Sequence, residues 1–369
     1  MDSAEREDLG IRTPMPRSLV ESMASCKAER DTLGTMLGKD ILDYYFLAKE
    51  GEKQKLANLM PNGGYTTSAF LICARTHMQL SHPTRPCADP INVHLEFMRR
   101  TAVGPATFSV RDVKIGARIS NLHLTLFQDY HNTGAGATHT PVVEGYITLS
   151  NIATESGLSL DTSYTPLPPP LPADLQRLSS AAGEDDNYVL RRKEAYPDFR
   201  RATLCMQMYL VKPDRWPASH PLSINDQWSR FRPLQREGRW TNDALGFVVD
   251  MFPQVVEKYI NPSVERAAVM EKDDEKLKQI TKENAKKAKY WYPTMTLNLD
   301  VKKLLPEEGV EWLFTRTKAK TIKNGRLDLD VEVWDAQGEL VAISSHSSLI
   351  VDTSRNTTRN GKKTQIGKL

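Results

Sequence analysis

Period-two alternation is the dominant pattern from residue 91 onward. INVHLEFM, FSVRDVKI, ISNLHLTLFQ and VVEGYITLS alternate apolar with polar positions, carry β-branched residues, and are broken by RTAVGP, GA and HNTGAGATHTP. This spacing predicts a meander of antiparallel strands. Ahead of it, PNGG supplies turn residues from Pro61, and TTSAFLICARTHMQL then runs apolar on nearly every side for about four turns, which predicts a buried helix. The second half repeats the order. TLCMQMYLV reads as a strand, TNDALGFVVDMFPQVVEKYI as another buried helix, and MTLNLDVKKLL, WLFTRTKAKTI, RLDLDVEVWD and LVAISSHSSLIV as strands.

The remaining segments divide the chain. Residues 1–34 are a polar lead-in, 35–160 the first unit, and 201–352 the second. Between them, 161–200 contains TPLPPPLP and SSAAGEDD, a composition that stiffens locally but carries few apolar residues, and it is expected to be a Pro-rich linker. Residues 262–290 carry Lys and Glu at helical spacing, which predicts a solvated helical insertion. The basic tail 353–369 is expected to be disordered.

Charge narrows the partners. Against 46 acidic residues stand 49 basic ones, a net +3, so there is no general electrostatic drive toward nucleic acid or an anionic membrane. No apolar run approaches the roughly 20 residues that span a bilayer, and the first residues lack the apolar core of a secretory signal. A cytoplasmic protein is expected. The final Gly-Lys-Leu differs at one position from a peroxisomal Ser-Lys-Leu signal, which keeps that compartment as a minor alternative. Cys26, Cys73, Cys87 and Cys205 show no CxxC spacing, and GxSxG, P-loop, GxGxxG and HExxH patterns are absent, so no metal and no other cofactor is expected.

Asp250 stands out because ALGFVVDMFP is otherwise apolar, and a buried carboxylate costs several kcal/mol unless it is hydrogen-bonded or used. It reads equally as a functional group or as the cap of a helical segment starting near Pro253. Asn62-Gly63-Gly64 precedes the first helix, where free backbone N–H groups could bind a carbonyl oxygen or a phosphate, although a plain turn accounts for the glycines as well. His77 and His94 read as core histidines before catalytic ones.

The twice-repeated unit resembles the double hotdog acyl-CoA thioesterases. The likeness rests on Asn62 to Tyr65 entering the helix, His94 to Phe97, Val113 to Arg118 with Ser120 and Gln128, Asp243 to Asp250, Thr296 to Asn298, Asn324 to Arg326, and Gly338 to Ala342 leading to His346. It covers roughly residues 35 to 350 and is closest in detail to fungal thioesterase-like proteins, many of which sit beside metabolite pathways. The resemblance implies an α+β double hotdog fold, with two long buried helices wrapped by one continuous antiparallel β-sheet. It implies hydrolysis of an acyl thioester, carried by coenzyme A or a carrier protein, in fatty-acyl or secondary metabolism; a homo-oligomer is compatible with it.

The family pairs a helix Asp with a strand Thr or Ser and a Gln. Residue by residue, this carries over to Asp250 as base and Thr296 as the hydroxyl that orients water; His346 stands where Gln is usual. That departure leaves the reaction type open, because histidine can also titrate. Asn62, Gly63, Gly64, His94 and Arg118 are the candidate substrate-binding residues, Arg118 toward coenzyme A phosphates. The first helix has no acid matching Asp250, so one working site per chain is expected. The alternatives are a hotdog dehydratase or hydratase acting on an acyl or polyketide-like intermediate, and a non-catalytic acyl-binding protein.

Overall fold

The computed structural model describes residues 62–352, apart from 102–105, 131–137, 193–200, 218, 233–236, 272 and 286–289. The expectations for the lead-in, for 35–61 and for the tail lie outside the described residues.

Helix α1 (Gly63–Ser81) begins where Asn62 accepts a hydrogen bond from the Tyr65 N–H through its side chain, a standard N-cap. Two of its hydroxyls are satisfied within the helix: Thr66 and Thr67 donate back to the carbonyls of Asn62 and Gly63. That leaves a helix whose described residues are buried from Gly64 to Ala74 and again from Thr76 to Met78. It ends at His82, ahead of Pro83. Strands β1 (Asp89–Phe97), β2 (Thr107–Lys114), β3 (Ser120–Tyr130) and β4 (Thr138–Ser150) follow. Their alternation is met in space, with Val93, Leu95, Leu122, Leu124, Ile147 and Leu149 fully buried toward α1.

In the second half come α2 (Leu175–Ser179), β5 (Tyr188–Leu190), β6 (Met206–Val211), β7 (Ile224–Phe231), α3 (Leu245–Val248), α4 (Val255–Ile260), α5 (Pro262–Met270) and α6 (Asp274–Ala285). They are followed by β8 (Tyr290–Trp291), β9 (Thr294–Val301), β10 (Leu313–Lys318), β11 (Ile322–Lys323), β12 (Arg326–Asp335), β13 (Leu340–Leu349) and β14 (Val351–Asp352). The main sheet runs β2-β3-β4-β1-β9-β13-β12-β10-β7-β6-β5, with β11 added to β12. Its pairs are antiparallel, and β1 joins β9 with His94 opposite Asn298, so the halves share one sheet around one core. This is the double hotdog arrangement. No described helix is long and apolar enough to cross a membrane.

Two expectations change. The second buried helix is not continuous: a 3-10 turn at Asn242–Ala244 leads into α3, and the chain leaves helical geometry until α4. Pro253 contributes no N–H to such a helix. The carbonyls freed by the break are taken by strand β7, where buried Gln227 donates to the Met251 oxygen at 2.6 Å and buried Asn225 to the Pro253 oxygen at 2.7 Å. The second change concerns the Pro-rich segment, whose described part is packed rather than a free linker. Tyr188, Tyr209, Leu178, Val211 and Trp312 form a buried cluster under it. Arg316 pairs with Asp226 through two 2.7 Å bonds and donates a third to the Pro168 oxygen at 2.6 Å. The charged insertion contains α5 and α6, in which Val264, Ala268 and Leu277 are buried.

Candidate functional site

Helices α1 and α3 meet at glycines. A Cβ on Gly246 would lie 2.5 Å from the Ser68 nitrogen, and one on Gly64 would lie 2.7 Å from both the Gly246 oxygen and Asp250 Cβ. This close approach sets Asp250, just past α3, on the N-terminus of α1. Its Oδ2 accepts from the Gly64 N–H at 2.8 Å. The side chain retains 13% of its exposure. Desolvation pushes its pKa up to about 6, against the lowering effect of the Gly64 and Gly63 N–H groups.

The other oxygen, Oδ1, faces His346 Nδ1 at 3.7 Å, beyond a direct hydrogen bond. His346 is buried on the inner row of β13, and burial pushes its pKa down to about 3, so the ring is neutral in ordinary buffers. Its tautomer follows from its neighbours. Ser344 Oγ lies 2.5 Å from the Asn298 carbonyl, which can only accept, so the serine proton is spent there. Ser344 Oγ must then accept from His346 Nε2–H, 2.9 Å away. This leaves a lone pair on Nδ1, an atom without a hydrogen-bond partner, turned toward Asp250. The Phe252 ring stands edge-on to the imidazole at 6.1 Å between centroids, and Phe97 lies near Gly63.

Asn62 belongs to this cluster. With Oδ1 committed to the Tyr65 N–H, its Nδ2 reaches the Met251 sulfur at 2.9 Å, a weak acceptor. The Gly64 N–H is not free for a ligand, because it is taken by Asp250. The pair of one carboxylate and one imidazole is short of the three or four protein ligands that zinc takes.

The structure does not bring the other candidates here. Thr296 lies opposite Ser347 on β13 and Glu96 on β1, in the row that faces away from buried Leu297 and His346. The register shift between Ser347 and Ser348 passes over Met295 and sets Thr294 opposite buried Ser348, in the inner row with Ser344 and His346. His94 is on the outer face at the junction, 2.6 Å from Asn298 Oδ1 and 3.4 Å from Glu96 Oε1. Arg118 is exposed in the turn between β2 and β3, at the far edge of the sheet order. Parity within the sequence could have found two of these: in LVAISSHSS, residues 344, 346 and 348 share one face, and in TLNLDV, Leu297 and Leu299 exclude Thr296 from it. No local signal marks Gln227 and Asn225 as supports of the Asp250 turn.

Residues 54–150 match the acyl-CoA thioesterase N-terminal domain and residues 168–350 the acyl-CoA thioesterase C-terminal domain. The chain is 33% identical over 332 residues to the thioesterase-like protein TwmA of Talaromyces wortmannii, covering 84% of this chain and 88% of that one. Among solved structures, a hot dog fold protein of unknown function from Alicyclobacillus acidocaldarius is similar with a TM-score of 0.52 at 18% identity, over 80% of this chain and 90% of that one. A thioesterase II described from Thermobifida fusca is similar with a TM-score of 0.51 at 17% identity, over 80% and 89%. With both family domains matched in order and a relative above 30% identity aligned over most of both chains, this chain belongs to the acyl-CoA thioesterase family of double hotdog proteins.

Proposed function

We propose that the protein hydrolyses an acyl thioester, with Asp250 as the base and His346 as its partner in holding the attacking water. The observation that carries this is the pairing of Asp250 Oδ1 with an imidazole nitrogen whose tautomer makes it an acceptor. A water donating one proton toward Oδ1 and the other toward Nδ1 turns an oxygen lone pair outward, to the thioester carbonyl. As the C–O bond forms, the water proton passes to Asp250. The tetrahedral intermediate then expels the thiolate, which takes that proton, giving free thiol and carboxylic acid. Asn62 Nδ2 gives up its weak sulfur contact to donate to the carbonyl oxygen as it gains charge. Acyl-coenzyme A is the substrate the family supports, and we extend the proposal to a role in fatty-acyl or secondary metabolism, as the resemblance to fungal thioesterase-like proteins implies.

A dehydratase reading is favoured by one feature, the histidine itself. A neutral imidazole with a bare Nδ1 can abstract a proton while a protonated Asp250 donates to a leaving hydroxyl.

The test is a panel of acyl-CoA thioesters, with thiol release and enoyl formation followed together. Thiol release is expected, and Asp250→Asn lowers it by about two to four powers of ten while circular dichroism and melting temperature show a folded protein. Undiminished activity in Asp250→Asn removes this site; enoyl product from a 3-hydroxyacyl thioester without thiol release selects the dehydratase.

A further inference from the structure

At the opposite end of α1, about 20 Å along the helix axis from Gly64, lies a second cluster of chemistry-bearing side chains. His77, on the buried face of the last turns, has Nε2 2.7 Å from Asp112 Oδ1. His82, the residue that closes the helix, has Nε2 2.9 Å from Asp112 Oδ2. The three side chains each place a donor atom within 4.8 Å of the others. Asp112 is on the edge strand β2, beside a register shift between Asp112 and Lys114 of the kind that re-aims side chains.

We propose that His77, His82 and Asp112 form a binding site for a divalent transition metal ion of the zinc type. Two imidazoles and one carboxylate are a donor set such ions take, with nitrogen bonds of about 2.0–2.1 Å. Ligand atoms around a tetrahedral ion at that bond length stand about 3.3 Å apart. The present 2.7 and 2.9 Å separations therefore open by only about half an ångström to admit one. Ser81 Oγ lies 3.4 Å from His77 Nδ1, an outer partner that leaves Nε2 for the metal. The C-terminal end of α1 presents carbonyl dipoles and has no basic residue in its last turn, so it favours a cation. The Asp112 side chain is 40% exposed and that of His82 23%, which leaves an entry path and room for water as a further ligand. Two nitrogen donors disfavour magnesium and calcium, which take oxygen. Distance from Asp250 makes the role structural: the ion clamps the end of the central helix to the sheet edge.

The same contacts also stand as plain hydrogen bonds, and titration separates the two. Metal-stripped full-length protein is titrated with Zn²⁺ by calorimetry and with Co²⁺ by visible absorption, beside His82→Ala, Asp112→Asn and Ser81→Ala. Both His82 and Asp112 are partly exposed, so these variants are expected to fold, and circular dichroism checks it. The wild type binds one ion per chain and melts higher with Zn²⁺; His82→Ala and Asp112→Asn lose both effects, and Ser81→Ala binds about tenfold more weakly. Any turnover at the Asp250 site is the same in His82→Ala as in the wild type. Absence of saturable Zn²⁺ heat and of a Co²⁺ band in the wild type overturns the site, as does unchanged affinity in both His82→Ala and Asp112→Asn.

Discussion

Asp250 is under two opposing influences. Burial disfavours its charge, while the N–H groups at the start of α1 favour it, and burial prevails, leaving the pKa near 6. If the carboxylate is the working base, kcat/KM for thioester hydrolysis rises with pH through a limb near 6 and then levels, because His346 stays neutral throughout. A pH profile that falls above 6 assigns Asp250 the acid role and selects dehydration. His346 bears on stability with a definite sign. Its folded pKa, about 3, is below the ordinary 6.5, so the histidine binds a proton in the unfolded chain first, and stability is lost as pH falls below 6.5. His346→Gln has no such proton to bind. Its stability relative to wild type therefore improves by about 2 kcal/mol between pH 7.5 and pH 5, read from urea unfolding at the two pH values. No change in the difference between the two proteins with pH places His346 in water.

At the scale of elements, the break after α3 is what makes a site. A continuous helix through 250 would have buried its carbonyls in its own ladder and carried Asp250 round with the helical period. Instead Gln227 and Asn225 hold the carbonyls of Met251 and Pro253, and the turn lays Asp250 on α1. The two helices approach closely enough only because Gly246 has no side chain. Gly246→Ala puts a methyl 2.5 Å from the Ser68 nitrogen, which backbone must yield to admit. The expected loss is 1 to 3 kcal/mol or more, about what overpacking costs, with activity falling further than that fraction unfolded explains because Asp250 moves with α3. Chemical denaturation and kcat on the same preparation check this; an unperturbed melting point contradicts the close contact.

For the whole molecule, the shared sheet means neither half closes its core alone. Strand β1 is completed by β9, and the first half's helix receives the second half's Asp250. The Pro-rich segment is part of that body. The Arg316 to Asp226 pair is buried, and its third bond holds Pro168 over the outer face of the sheet. The Tyr188 hydroxyl donates to the Leu171 oxygen at 3.0 Å and stitches the segment further. Protease cleavage within residues 164–190 is therefore expected to follow global unfolding across a urea series. Cleavage there well below the unfolding midpoint would show a segment that opens independently.

The sequence by itself determined the repeated helix-and-strand order, because period-two and all-round apolar patterns are local consequences of which side chains can face a core. The nine alternating runs from INVHLEFM to LVAISSHSSLIV became β1 to β4, β6, β9, β10, β12 and β13, and Asp250 was marked by the expense of a carboxylate among apolar neighbours. Tertiary structure alone decided the rest. Whether the second helix continued past Val248 depended on Gln227 and Asn225, which reach Met251 and Pro253 from a strand more than twenty positions earlier. Which threonine faced the core depended on a register shift opposite Ser348, and one skipped residue exchanges the faces of a strand. His346 could be named as an exception to the family's pattern, but its tautomer needed the Asn298 carbonyl beside Ser344. Nothing local says that His77 and His82 share a carboxylate, since it is a strand thirty residues on that brings Asp112 between them. Pairing partners are set by packing, and packing is not written at any single position.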